Sequence, residues 1–329
     1  MKNALIIIKN NFLRIGERKN YLIIMVIVTT LTLLFAVYFT SKFEVKGNIA
    51  VVTNSTQIKA ADSKYLKVSI LKELPPKSLL VMNKYDAVII DEGNGEFKIQ
   101  SIKSDDFNQK VLQALTNKGT VGFDKEVNRG IGSNILGYLI MFLLLQGATY
   151  MMLFSEDKEY RIIKRVISSP VSVGTYLFSH AVTNFLLILI PTFIIICISK
   201  ALLGVNVGFG YFQYFAFLSL MTLLATSFAL FMSSITKKAD NSVMATSAIA
   251  VLSSILAGSF GKIGNHSTVM KNVLNILPQK NYLSIVQGIE QGKGLSEFAP
   301  QLIYYFTFCI LLIVASVVIT NKKIIRGED

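Results

Sequence analysis

The stretch SEDKEYRIIKRVISSPVS, Ser155–Ser172, packs seven charged residues between Glu156 and Arg165. Uncharged runs over 131–154 and 176–199 flank it. At about 1.5 Å per helical residue, each run is long enough to cross roughly 30 Å of hydrocarbon. A dense charged segment between two such runs reads as a connection held at a membrane surface. Ser155 is suited to cap a helix, with Glu156, Asp157 and Glu159 in a first turn where the helix dipole favours negative charge. Arg161, Lys164 and Arg165 follow, and Asp157–Arg161 is an i,i+4 pair. Ile162, Ile163, Val166 and Ile167 form an apolar stripe. Pro170 ends the pattern, because the residue before a proline is pushed out of the helical region. The spacing predicts a short, charge-patterned amphipathic helix.

Working outward, six uncharged runs are long enough to span a bilayer: 21–40, 131–154, 176–199, 211–236, 241–261 and 299–320. The chain is 52% hydrophobic and only 16% charged, against about 25% charged in soluble domains. The expected fold is an all-α polytopic membrane protein of six transmembrane helices, with an external α/β domain inserted after the first. The run 21–40 is longer than the apolar core of a signal peptide, and no A-x-A-like site follows it, so it is expected to be retained.

Lys/Arg counts in the short connections set the orientation. With the N-terminus inside, segments 1–20, 155–175, 237–240 and 321–329 hold fourteen Lys/Arg, and the outer segments 200–210 and 262–298 hold five. Both termini are therefore expected to be cytoplasmic, in a multi-pass protein of the plasma membrane. The net charge of +13 does not point to nucleic acid, because the basic residues flank apolar runs or lie in one mixed-charge insert. In residues 1–20, Leu5, Ile8, Phe12 and Ile15 recur at helical spacing among Lys2, Lys9, Arg14, Arg18 and Lys19. That pattern suits an interfacial helix at an anionic lipid surface.

The insert, 41–130, carries fourteen Lys/Arg and eleven Asp/Glu. NIAVVTN and YDAVIID are β-rich runs, DEGNGE is a turn signal, and EFKIQSI completes an expected hairpin. DDFNQKVLQALTNKG is expected to form a helix ending at Gly119. Ser253, Ala257 and Gly261 recur at i, i+4 and i+8, a small-residue stripe for close helix packing. Pro191 stands mid-run, where it can kink a membrane helix. His180 is the ionisable residue set well inside a run, about a turn from its inner edge. Its readings are a polar contact there or a functional group.

Motifs for chemistry are missing from the sequence. There is no G-x-x-x-x-G-K-[ST], no G-x-S-x-G and no H-E-x-x-H. With His180 and His266 as the sole histidines, and Cys197 and Cys309 both in apolar runs, no metal site is expected. An enzyme is not expected either, and any energy for transport must come from another chain.

After these residues, the acidic start, the basic-apolar middle and SPVSVGTYLFSH resemble the segment following the second span in permeases of the type-2 ABC exporter class. The matching residues are Glu156, Arg161, Ser169, Pro170, Val171 and Ser172; the family's Gly-Thr after the glutamate is replaced here by Lys158–Tyr160. KNVLNILPQKNYLSIVQG, 271–288, resembles the partly embedded external piece such permeases carry before the last span, with Pro278 at its centre. The resemblance implies a homo- or heterodimer working with cytoplasmic ABC ATPase subunits, with no cofactor bound directly and ATP acting through the partner. It implies that 155–172 is the coupling helix and that the path lies between two copies, lined by spans one, two and five. Glu156, Asp157, Glu159, Arg161, Lys164, Arg165, Ser169 and Pro170, with Arg14, Arg18 and Lys19, are the expected contacts to the ATPase or to lipid headgroups. Export of a drug, peptide or lipid is the implied function. A membrane-anchored sensor with an external ligand-binding domain is the alternative, disfavoured because the largest inner segment is only about twenty residues. The Lys/Ile/Asn-rich usage suggests a bacterial source.

Overall fold

The computed structural model describes residues 2–42, 47–52, 66–71, 73–76, 85, 87–91, 97–101, 130–202, 207–259 and 274–326. The chain divides into two compact units, Met1–Val37 with Arg129–Asp329, and Tyr38–Asn128. The helices are Lys2–Glu17 (α1), Lys19–Lys42 (α2), Ile131–Glu159 (α3), Ile162–Ile167 (α4), Val173–Leu202 (α5), Tyr211–Ile235 (α6), Ala239–Leu256 (α7), Pro278–Glu290 (α8) and Ala299–Arg326 (α9). Five of them, α3, α5, α6, α7 and α9, are long and apolar enough to cross a membrane. They fall on five of the six uncharged runs. The first run lies in α2, a 24-residue helix. Pro191 is accommodated inside α5, which continues to Leu202.

Among the spans, α3 is the central one: 67% of its most apolar stretch is buried, against 17% for that of α9. Ile135, Leu136, Leu139, Ile140, Leu143 and Leu144 supply its buried apolar face. In lipid the packing of such faces gains little from the hydrophobic effect, so close approach and hydrogen bonds decide which helices pair. Gly147 provides the approach, since a Cβ there would sit 2.9 Å from the Ala225 carbonyl oxygen of α6. Asn184 of α5 donates to the Gly147 carbonyl at 2.9 Å. Gln146 donates to Thr29 of α2. Tyr305 of α9 donates to the Leu220 carbonyl of α6 at 2.8 Å.

The start of α3 has no side-chain cap of its own at Gly130. Glu290, the last residue of α8, does that work from a distance. Its carboxylate accepts from the Gly132 amide at 2.8 Å, the Ser133 amide at 3.0 Å and the Ser133 hydroxyl. These amides are among the orphan donors of a helix start, where the dipole also favours a negative charge. Gly208 adopts φ +83, and a Cβ there would lie 2.5 Å from the Gly132 amide nitrogen, so this turn demands glycine. α8 begins with Pro278 at its first turn, a favoured place because proline lacks the donor a helix start cannot satisfy. Pro278 thus opens a helix within the 271–288 segment. Tyr282, Leu283, Ile285 and Val286 of α8 are buried.

The second unit holds a four-stranded sheet, Gly47–Val52 (β1), Leu66–Leu71 (β2), Ala87–Asp91 (β3) and Phe97–Ser101 (β4), in the order β2-β1-β3-β4. β1 runs parallel to β2 and β3, and β3 pairs antiparallel with β4, Ile89 facing Ile99. The expected strands at NIAVVTN and YDAVIID and the expected hairpin are present; β2 was not expected. Parallel neighbours require crossover connections. Ala87, Val88 and Ile89 are consecutive and all buried, the pattern of a strand covered on both faces. The helix expected at 105–119 lies outside the described residues.

Candidate functional site: a charged joint at the end of α3

The structure corrects the local reading of Ser155–Ser172. Ser155 to Glu159 do not open a new helix; they are the last turn of α3. Running on to Glu159 moves the four unpaired carbonyls of the helix end past the apolar run that closes at Phe154 and into the charged segment. The break comes at Arg161, which takes φ +57 in the left-handed region and precedes α4. The expected Asp157–Arg161 pair does not form. Asp157 instead pairs with Arg14 of α1, which donates to Oδ1 at 2.6 Å and to Oδ2 at 3.0 Å.

Acidic residues at a helix C-terminus oppose the dipole, and the structure compensates each of them from another element. Glu156 accepts from Arg18, the residue between α1 and α2, at 2.9 and 2.6 Å. Asp157 is wholly buried and also accepts from Tyr176 of α5. His180 of α5 brings Nε2 to 3.3 Å from Asp157 Oδ2, outside hydrogen-bond geometry. Lys158 is buried, donates to the Thr236 carbonyl at the end of α6 at 2.6 Å, and lies 5.7 Å from the Phe154 ring centre. Glu159 accepts from the Ala239 amide at 2.9 Å, capping the start of α7. Four consecutive side chains, Glu156–Glu159, therefore hold four different neighbours. Lys323 of α9 joins the same corner, donating to the carbonyls of Ser234 and Ile235 at 2.9 and 2.7 Å.

Hydrogen bonding to Asp157, strengthened by its charge, raises the Arg14 guanidinium above its usual pKa despite partial burial. α1 contacts both ends of the charged segment: besides Arg14, Asn3 donates to the Pro170 carbonyl at 3.2 Å. Asn11 is buried and donates to Thr183 of α5 at 3.5 Å. The face of α1 turned outward carries Leu5 and Leu13, exposed together with Ile6. Of the expected apolar stripe, Ile15 is buried, whereas Leu5 and Phe12 are exposed.

α4 is anchored by its expected apolar stripe. Ile163 is fully buried against Phe154, Tyr176 and Leu230, with Val166 and Ile167 packed beside it. Burying such a side chain is worth roughly 1.5–3 kcal/mol relative to water. Tyr160, Arg161, Arg165, Ser169 and Pro170 are exposed, and Lys164 is half-buried. Ser172 accepts from the Thr175 amide at 3.2 Å and so caps α5. Lys19 begins α2 and is exposed. Ser253 accepts from Gln279 of α8 at 2.8 Å, and Ala257 is buried at the end of α7; Gly261 lies outside the described residues. Sequence reasoning assigned no role to Lys158, Tyr176 or Glu290, whose partners are remote in sequence.

A helical bundle with five membrane-length apolar helices, tied at one end by a buried ionic joint, defines a multi-pass membrane protein. Residues 57–318 match the family described as ABC-2 family transporter protein. The chain belongs to that family and is the membrane-spanning permease of an ABC transporter. The match covers α3 to α8 and most of α9; α1 with Arg14, and Arg18 just after it, lie outside it. No curated protein matches the chain.

Proposed function

We propose that this permease exports its cargo across the plasma membrane using ATP hydrolysed by a separate cytoplasmic subunit, and that Tyr160–Pro170 is the handle the ATPase moves. One observation carries the reading. The exposed segment is joined directly to Glu156–Glu159, whose side chains hold the α1–α2 junction, α5, α6 and α7. A displacement of α4 would reach those helices through short polar contacts, several of them buried, without first unfolding anything.

In this reading α2 is a sixth span, the insert is external, both termini are cytoplasmic, and the permease acts as a homo- or heterodimer. The orientation rests on the basic residues at the joint end: Arg161, Lys164 and Arg165 near α4, Lys237 and Lys238 before α7, and Lys322, Lys323 and Arg326 in α9. Such clustering marks the cytoplasmic side. The outward apolar face of α1, with Lys2 and Lys9 beside it, meets the lipid surface. The chain is not itself an enzyme and binds no cofactor; ATP acts through the partner.

The test is site-specific photocrosslinking from Tyr160, Arg161 and Arg165 in intact cells, followed by identification of the captured chain. Capture of an ABC ATPase is expected. Labelling of a cysteine at Arg161 by a membrane-impermeant reagent from outside would refute the orientation and the mechanism with it.

A further inference from the structure

Between α5, α6, α8 and α9 the helical unit contains an open cavity of about 480 Å³, within the roughly 300–1,000 Å³ of ligand pockets. Ala216, Ser219, Leu220 and Leu223 line it from α6. Their i, i+3, i+4, i+7 spacing puts them on one helix face, and the small side chains of Ala216 and Ser219 leave the space. Phe185 of α5 and Phe306 of α9 also border it. Ser219 is the one polar side chain among the described lining residues, and its hydroxyl is satisfied by the Phe215 carbonyl at 2.7 Å. Nothing in the groove calls for a polar ligand.

Its depth says what fills it. Leu220 stands nine residues after Tyr211 at the start of α6, about 14 Å along the helix axis. Phe185 stands twelve residues after the start of α5 at Val173, about 18 Å from that end. With α5 and α6 crossing the bilayer both positions lie at hydrocarbon depth, where water is absent, while Leu302 and Leu295 border the groove near the start of α9. A helix, about 10–12 Å across, would fit no more than roughly one turn into such a volume, whereas a single flexible hydrocarbon chain threads it.

We infer that this groove binds one acyl chain of a bilayer phospholipid, held between Phe185, the Ala216–Leu223 face and Phe306. The site requires only that α5, α6 and α9 cross the membrane; it does not depend on ATPase coupling or on export.

The experiment uses the full-length chain, without any ATPase, in nanodiscs of phosphatidylglycerol and phosphatidylethanolamine doped with a phospholipid carrying a mid-chain diazirine. After irradiation, labelled residues are mapped by mass spectrometry. Label is expected to concentrate on 216–223 and around Phe306, above the level on the outward α9 residues Ile310, Leu311 and Val314, which are 58%, 61% and 52% exposed. Ala216→Phe should fill the groove and remove that excess while leaving the labelling of Ile310, Leu311 and Val314 unchanged; Ser219→Leu serves if the first variant does not fold. Groove labelling no stronger than that of the α9 face, or labelling that survives a folded filling variant, overturns the proposal. An intermolecular disulfide at Ser219→Cys, in a chain carrying Cys197→Ala and Cys309→Ala, would assign the groove to a second copy and overturn it as well.

Discussion

Replacing Asp157 with alanine tests whether the end of α3 is an integral joint or a decorated surface. The Asp157 side chain is 0% exposed and that of Arg14 is 27% exposed. Removing the carboxylate takes away the acceptor shared by two Arg14 donors and the Tyr176 hydroxyl. Breaking a buried ion pair in this way costs about 3–5 kcal/mol, and the partial exposure of Arg14 puts the expected loss at the lower end. The neighbouring pair is the internal control. Arg18 is 40% exposed and Glu156 12%, so Glu156→Ala should cost only about 0–1 kcal/mol. The assay is unfolding of the purified full-length chain by SDS titration in mixed micelles, followed by circular dichroism. It is run as two double-mutant cycles, Arg14→Ala with Asp157→Ala and Arg18→Ala with Glu156→Ala. The first cycle should return a coupling energy several times the second. Equal couplings, or an Asp157→Ala chain as stable as the parent, would show that burial at this joint carries no energetic weight.

Three further outcomes follow from the same geometry. Glu290→Gln should destabilise by about 1–3 kcal/mol, because the new amide keeps one acceptor oxygen and turns a donor toward either the Gly132 or the Ser133 amide; an unchanged SDS midpoint would contradict that capping role. Gly208→Ala should cost more than Gly292→Ala: both have positive φ, but only Gly208 has a backbone nitrogen 2.5 Å from the new methyl, and comparing expression with melting of the two variants by size-exclusion chromatography checks the order. Arg161→Gly should hold or raise stability, by up to about 1 kcal/mol, since it relieves a left-handed non-glycine residue. If Arg161 also touches the ATPase, that variant should still fold yet give weaker transport-coupled ATP hydrolysis. Full coupling with the glycine present would remove Arg161 from the proposed contact.

Reading along the chain located the long helices because lipid-crossing segments must be both apolar and about twenty residues long. That property is local, so five uncharged runs returned as five membrane-length helices with ends shifted by a few residues. The hairpin of β3 and β4 was legible for a similar reason, through a turn signal between two β-rich runs. The charged segment was legible as a place but not as an arrangement. Its i,i+4 spacing offered Arg161 to Asp157, whereas the fold chose Arg14, 143 residues away. Local spacing cannot weigh that choice, because the stronger partner is the one that packing has already removed from water. The same holds for Glu159 and Ala239, 80 residues apart, and for Glu290 and Gly132, 158 apart.

By itself, the sequence determined a chain of membrane-length apolar helices with a sheet-bearing insert, because composition and run length are written residue by residue, and its match over 57–318 placed it among the ABC-2 permeases. Only the tertiary structure decided that Glu156, Asp157, Lys158 and Glu159 each serve a different neighbour. Which charges are buried together depends on helices meeting in space, and the pairing energy of a charge depends on how much water that meeting excludes.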